Sequence, residues 1–413
     1  MRYKFSDAEP ILISGSVKSA GYILAAASLC GGVTRIANFP LLSKSAHCGG
    51  VKASDADISR LIELMTEHGY SFSFAEDEDG AYIEVSGLKD PKPKDFWDTF
   101  ASAPPSFSAV YNIIGETLGG TEEELHSQKG YFSSVVYSSG VSGGGRYSSI
   151  VQINNEPDIT AGLAIGAAKS NKKLALYNCS REPEIVDLQG FLRAMGAQVS
   201  GAGSSVITIQ GGRPLHPAEY RVMGDRIAAA TYLCAAGAAG GRIELTGAEP
   251  DTLTAVLSCL EQAGCTLWTQ PGRIAAECHT PLGGIAPVRT APYPGFPTDA
   301  QAILMAALAG GTGTTMFVEN MFASRYHHVD ELRRMGADIQ ADGRVAVVTG
   351  RGRLHGASVK STDLRGGAAL VVAALGAEGV TRVSGLRHIR RGYEELPRCL
   401  TALGARIQEL PAG

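Results

Sequence analysis

Three arginines in the second half of the chain, Arg325, Arg365 and Arg391, each fall in a loop after a strand-like run or at the start of a helical one. An arbitrary arginine is usually a solvated surface group. Guanidinium forks are nevertheless the side chains best suited to carboxylate and phosphate oxygens, because their planar donors meet an oxyanion two at a time. Two acids keep company with them. Asp299 opens an apolar helical pattern directly after Gly295-Phe296-Pro297-Thr298. There it would satisfy free N–H groups of the first turn, or take a proton from a hydroxyl held within about 3 Å. Asp363 repeats the arrangement two residues before Arg365, with the same two readings. Lys18 follows Ile13-Ser14-Gly15-Ser16-Val17, a glycine turn at a helix start that could support an anion. The adjacent His327 and His328 suggest metal, but neighbours on a helix point about 100° apart and no cysteine or acid constellation joins them, so no metal is expected.

These groups sit in 413 residues, 44% hydrophobic and 19% charged, with a formal net charge of −4. The length suggests two or three domains and the mixture a soluble globular protein. The acidic balance excludes a broad basic surface, so nucleic acid is not an expected partner. No stretch approaches the roughly 20 uninterrupted apolar residues of a membrane span. The opening Met1-Arg2-Tyr3-Lys4-Phe5-Ser6-Asp7 lacks the apolar core of a signal peptide. Eight cysteines are scattered without a C-x-x-C pair, several in apolar helical patterns where buried thiols are usual. A reduced, cytoplasmic protein with no membrane partner is the expectation.

The 51 glycines are not spread at random. A small-Gly-small step between a helical pattern and a strand-like run recurs at Gly196, Gly264, Gly336 and Gly404, spaced 68, 72 and 68 residues apart, and Gly69 lies 127 before the first. Each clear unit has an apolar helix, a strand, an amphipathic helix, the glycine cap and a hairpin. The apolar helices, such as Ala228–Ala236, should be buried and the amphipathic ones should face solvent. Buried helices inside sheets invert the usual α/β layering. Six such βαβαββ-type units fit two globules of three better than one solenoid. The boundary falls near Gly211–Pro217, giving a first domain of 12–212 with a degenerate second repeat and a second domain of 1–11 and 213–413. A cleft between two such globules is the default ligand site.

Tyr293-Pro294-Gly295-Phe296-Pro297-Thr298-Asp299, Arg325-Tyr326-His327-His328-Val329, Thr362-Asp363-Leu364-Arg365 and Arg391-Gly392-Tyr393-Glu394 occur in this order, with Arg181–Asp187 and Asp225-Arg226-Ile227 before them. Together they closely resemble the UDP-N-acetylglucosamine 1-carboxyvinyltransferases of the enolpyruvyl transferase family, which also contains 5-enolpyruvylshikimate-3-phosphate synthase. The resemblance covers residues 11–40 and about 160 to the C-terminus. It implies an inside-out α/β prism of two domains closing around the substrates. It also implies transfer of the enolpyruvyl group of phosphoenolpyruvate to an acceptor hydroxyl, with release of phosphate, through a tetrahedral adduct. The product would serve peptidoglycan, that is cell-wall, precursor synthesis; no metal or organic cofactor is implied. By the same resemblance Lys18, Arg325, Arg365 and Arg391 bind the donor's anionic groups. Asp299 takes the acceptor's proton, Asp363 and Lys18 join the catalytic set, and Thr298, Met321 and Phe322 line the acceptor side with Asp299.

The sequence departs from the family wording at several places. Val17 and Lys18 stand where Lys-Asn is usual, and Ala323-Ser324 replace Glu-Asn. No cysteine lies between Cys48 and Cys179, where the family carries a cysteine general acid; Glu124 and His126 are the candidate substitutes, and Arg146 could supply a missing guanidinium. Glu156-Pro157-Asp158-Ile159-Thr160-Ala161-Gly162 replaces the segment that meets the uridine diphosphate, and Ser43–Gly50 is an insertion. Shikimate 3-phosphate or another sugar or nucleotide hydroxyl is therefore an alternative acceptor, and a non-catalytic binding paralogue an alternative class.

Overall fold

A computed structural model of the chain describes residues 9–40, 56–77, 80–88, 136–139, 149–171, 173–279, 281–393 and 396–410. In it Gly69, Gly196, Gly264, Gly336 and Gly404 all take φ between 87° and 104°. That is the left-handed region, open to glycine at no steric cost, and it turns each amphipathic helix into the strand or extended segment that follows. The period seen in the sequence is thus a repeated helix cap.

The described chain divides into two compact units, residues 1–14 with 224–413, and residues 15–223. β1 (Ile11–Leu12) belongs to the first of these. The unit of residues 15–223 then runs α1 (Val17–Ala27), β2 (Gly32–Ala37), α2 (Ala56–Glu67) and the hairpin β3 (Ser71–Asp77) and β4 (Gly80–Gly87). It continues through β5 (Val136–Ser139), β6 (Ser149–Gln152), α3 (Pro157–Lys169), β7 (Lys173–Tyr177), α4 (Pro183–Ala194), β8 (Gln198–Ser200), β9 (Val206–Gln210) and β10 (Glu219–Arg221). Its sheets have the orders β10-β2-β4-β3 and β5-β6-β7-β9-β8. Because β10 pairs in parallel with β2, the chain crosses between units at Met223–Gly224, one short strand beyond the turn-rich segment 211–217.

The other unit repeats this wiring. α5 (Arg226–Ala239), β11 (Gly241–Thr246), α6 (Thr254–Gln262), β12 (Cys265–Gln270) and β13 (Arg273–Cys278) give the sheet β1-β11-β13-β12. β14 (Val288–Arg289), α7 (Thr298–Ala309), β15 (Thr312–Val318), α8 (Val329–Arg334), β16 (Asp338–Asp342) and β17 (Val345–Arg351) give β14-β15-β17-β16. The last copy contains β18 (Leu354–His355), β19 (Ser358–Lys360), α9 (Leu364–Gly376), β20 (Ala377–Glu378), β21 (Arg382–Ser384), α10 (Leu386–Ile389) and α11 (Leu396–Ala402). Among its described residues only two-strand pairs, β18-β20 and β19-β21, form. In the four-strand sheets a short strand lies parallel to a long one, which in turn lies antiparallel to the second strand of a hairpin.

The apolar helices are buried as their composition requires. α5 and α7 bury nearly every side chain and pack on each other and on α9. Alanines and glycines let these helices approach, while Leu233, Ile303, Leu304 and Leu370 fill the space between them. Burial of each such branched side chain is worth roughly 1.5–3 kcal/mol. Amphipathic α6 buries only Val256, Leu257 and Leu260. A separate core around Tyr22, Ile165, Phe191 and Met65 holds the unit of residues 15–223. The architecture is mixed α/β, with buried apolar helices in each unit.

One expectation is corrected. Cys265 and Cys278 are joined by a disulfide rather than being separate thiols. The two-residue turn Pro271-Gly272 sets β12 against β13 so that Cys265 lies directly opposite Cys278, with Cα atoms 4.2 Å apart. The short separation of facing residues in an antiparallel pair brings the two sulfurs together. Cys30, Cys179 and Cys234 are buried thiols, and Cys259 and Cys399 are partly buried ones.

Candidate active site

In the unit of residues 224–413, the first turns of two helices and one strand-to-helix loop bring an acid and two arginines together. Asp299 is in the first turn of α7, after a Pro297 N-cap that offers no side-chain acceptor. Its carboxylate meets Arg325 Nη2 through Oδ1, and Oδ2 accepts from Arg365 Nη2 at 3.1 Å. Arg325 comes from the loop before α8, and Arg365 from the first turn of α9. Sequence positions 26 and 66 residues away are thus joined on one carboxylate.

Arg365 is the more enclosed, with 14% of its side chain exposed. Burial alone would lower its pKa, but the Tyr393 oxygen and the Asp299 and Asp225 charges outweigh that and raise it, so the guanidinium stays charged. Its Nη1 donates to Tyr393 Oη at 3.2 Å, and Tyr393 shares a 2.9 Å bond with Thr231 Oγ1. Thr231 donates its own hydrogen to the Ile227 carbonyl at 2.8 Å, so Tyr393 is the donor to Thr231. Burial pushes the Tyr393 hydroxyl up and keeps it neutral.

Glu319 was not singled out by the sequence, yet it organises the loops. Fully buried at the end of β15, its Oε1 accepts from Thr290 Oγ1 at 2.9 Å and from the amides of Met321 and Phe322 at 2.8 and 3.1 Å. Its Oε2 accepts from Thr298 Oγ1 at 2.9 Å. One carboxylate therefore fixes both the residue before Asp299 and the turn leading to Arg325. The available signal was an acid closing the β-branched run Thr314–Val318. Met321 and Phe322 stand exposed on that turn, and the Arg325 guanidinium lies 5.1 Å from the Phe322 ring centroid.

Asp363 is the N-cap of α9, accepting from Gly366 N at 2.8 Å and Thr362 Oγ1 at 3.1 Å, so the capping reading is realised. Arg391 is exposed on the turn after α10, two residues before Tyr393. His327 is exposed while His328 is buried at the start of α8. Burial holds the His328 imidazole down at about 4; Asp363 opposes that and Arg325 adds to it. Among the described residues no group of three His, Cys, Asp or Glu could hold a metal ion.

Lys18 lies in the other unit, in the first turn of α1. Gly15 is needed just before it, because a Cβ there would sit 1.9 Å from the Asn38 carbonyl oxygen. Ser16 then caps the helix by accepting from Ser19 N at 3.3 Å. Lys18 Nζ is 3.5 Å from Asp158 Oδ1, which also accepts from Tyr22 Oη at 2.5 Å. Next to it Ser19 Oγ donates to Asp187, which also accepts from Tyr220 Oη at 2.9 Å and Met223 N at 3.2 Å. Burial raises the Asp187 pKa against those hydrogen bonds. Glu124, His126, Arg146 and the insertion 43–50 lie outside the described residues. Among the described residues no helix is long and apolar enough to cross a membrane.

Comparison with known proteins gives this arrangement a family. The chain is 44% identical over 296 residues to a UDP-N-acetylglucosamine 1-carboxyvinyltransferase of Sphingopyxis alaskensis, spanning 71% of this chain and 67% of that protein. Two solved structures share the fold. The enolpyruvyl transferase NikO from Streptomyces tendae superposes with a TM-score of 0.76 at 21% identity, covering 100% of this chain and 98% of that one. An EPSP synthase from Acinetobacter baumannii superposes at 0.64 and 16% identity, covering 95% and 94%. The sequence profile of EPSP synthase (3-phosphoshikimate 1-carboxyvinyltransferase) matches residues 159–400, which include Asp299, both of its arginine partners and Tyr393. The chain belongs to the enolpyruvyl (1-carboxyvinyl) transferase family and is a transferase.

Proposed function

We propose that the enzyme moves the enolpyruvyl group of phosphoenolpyruvate onto an acceptor hydroxyl, with UDP-N-acetylglucosamine the first acceptor to test. The observation that carries the reading is the convergence of Arg325 and Arg365 on Asp299: two cations suited to a small dianion, with a carboxylate between them. Arg391 and Lys18 complete the donor set in this reading. Asp299 takes the acceptor proton as that oxygen attacks C2 and a second acid protonates C3; the tetrahedral adduct then collapses by losing a C3 proton to a base and phosphate from C2, which restores the double bond. Thr298, Met321 and Phe322 line the acceptor side, and Asp363 holds the helix that carries Arg365. Each unit is read as an inside-out prism of three repeats. The Sphingopyxis relative supports the UDP-sugar acceptor and, with it, a cytoplasmic role in peptidoglycan precursor synthesis.

A second reading keeps the donor and changes the acceptor to another sugar or nucleotide hydroxyl. The altered segment beginning Glu156-Pro157-Asp158 favours it, because Asp158 places a carboxylate beside Lys18. Phosphate release with phosphoenolpyruvate and a panel of acceptors separates the readings. Turnover with UDP-N-acetylglucosamine alone supports the first, turnover with another hydroxyl supports the second, and no turnover with any acceptor removes both.

A further inference from the structure

We infer that Asp299 is the resident anion of its own binding site: its carboxylate occupies the Arg325–Arg365 pair until the anionic substrate displaces it, and only then faces the acceptor hydroxyl. This rests on the donor reading above. Each Asp299 oxygen is engaged by a different guanidinium. Arg365 cannot easily turn away, because its Nη1 is held by Tyr393 in a buried chain of hydroxyls ending on the Ile227 carbonyl. The two cations therefore form a cradle anchored at Arg365 and filled from within by one negative charge.

A phosphate or carboxylate entering that cradle competes with Asp299 for the same N–H donors. A dianion carries more charge and more acceptor atoms than the side chain it replaces. The displaced carboxylate stays at the start of α7, where the positive end of the helix stabilises it and Pro297 leaves the cap without a side-chain acceptor. A carboxylate with both oxygens committed to guanidinium is poorly placed to take a hydroxyl proton, while a released one can. Proton abstraction is thereby tied to occupancy of the donor site, with no bond made or broken in the switch itself.

The internal competitor lowers the apparent affinity for any anion by the fraction of time it leaves the cradle open. Calorimetric titration of the full chain with inorganic phosphate tests this directly. Asp299→Asn should bind phosphate about tenfold more tightly than the parent while losing enolpyruvyl transfer, as expected when the cradle is open about a tenth of the time. Unchanged or weaker binding overturns the inference. Removing a nearby negative charge could also tighten binding, so a crystal of the parent protein with phosphate is the second arm. Phosphate on Arg325 and Arg365, with Asp299 turned off both, supports displacement; phosphate bound while both Asp299 contacts persist overturns it. Arg325→Ala and Arg365→Ala separate this inference from the reading beneath it. If neither weakens phosphate binding, the donor site itself is misplaced.

Discussion

Tyr393 and Thr231, 162 positions apart in sequence, share a buried hydroxyl–hydroxyl hydrogen bond of 2.9 Å. It ties the segment after α10 to α5 and hands its order to Arg365, so a phenol that touches no substrate in this reading sets the direction of a guanidinium. Tyr393→Phe removes the shared oxygen and leaves Thr231 and Arg365 Nη1 each short of a partner. The expected cost is about 1–3 kcal/mol of stability, read from urea denaturation, together with weaker phosphate binding. Parent-like phosphate affinity in a destabilised variant would remove Tyr393 from the positioning of Arg365.

Glu319→Ala should be among the most damaging single changes in the unit of residues 224–413. It removes the shared acceptor of two threonine hydroxyls and two amides, of which the Thr290 bond is buried and the other three are partly so. Each such donor left without its partner costs about 1–3 kcal/mol where it is buried, and less where water can reach it. Thr298→Val removes one bond and should cost about 1–3 kcal/mol. A lower melting temperature for both, with the alanine variant well below the valine variant, is the expected order.

His328 gives stability a defined pH dependence. Burial holds its folded pKa at about 4, below the unfolded value of about 6.5. Between those values the unfolded chain binds a proton that the folded chain refuses, so stability is complete above about pH 6.5 and falls as pH drops towards 4. The slope is at most about 1.4 kcal/mol per pH unit. His328→Gln should flatten the curve in that window when denaturation midpoints at pH 7.5, 5.5 and 4.5 are compared with the parent. The opposite contribution of Asp187, whose folded pKa is raised, is common to both proteins and cancels.

Lys18 separates folding from function. Its ion pair with Asp158 spans 3.5 Å and both partners are substantially exposed, a class of contact worth at most about 1 kcal/mol. Lys18→Met should leave the melting temperature nearly unchanged while phosphate release in the presence of donor and acceptor falls at least about tenfold, the size of one lost charge-assisted contact. Full activity in that variant would exclude Lys18 from the donor set.

Much of this was legible in the sequence because it is carried by local rules. The period of the caps is a backbone requirement, met by glycine at left-handed φ. The buried helices announce themselves by lacking a polar face. Asp299, Arg325 and Arg365 were recognisable from their motifs, whereas their mutual engagement was not, since it depends on two helix starts and a loop drawn from two different repeats. Glu319 escaped because an acid at a strand end reads as solvated unless its four partners are known. Tyr393 was in view, but its role depends on Thr231, which looks like an ordinary residue of an apolar helix. The Cys265–Cys278 bond could have been found: a two-residue Pro-Gly turn fixes the hairpin register and places the pair opposite.

β1 is two residues long, yet its partner β11 is made more than 200 residues later, after the entire unit of residues 15–223. During ribosomal synthesis the early strand has no partner until the whole unit of residues 15–223 has been made. A fragment starting at Gly224 would hold Arg325, Arg365 and Arg391 but leave the β11 margin bare, open to pairing with a second molecule. Solubility of such a fragment should therefore be rescued by supplying residues 9–14 at its C-terminus through a flexible linker, as a circular permutation would.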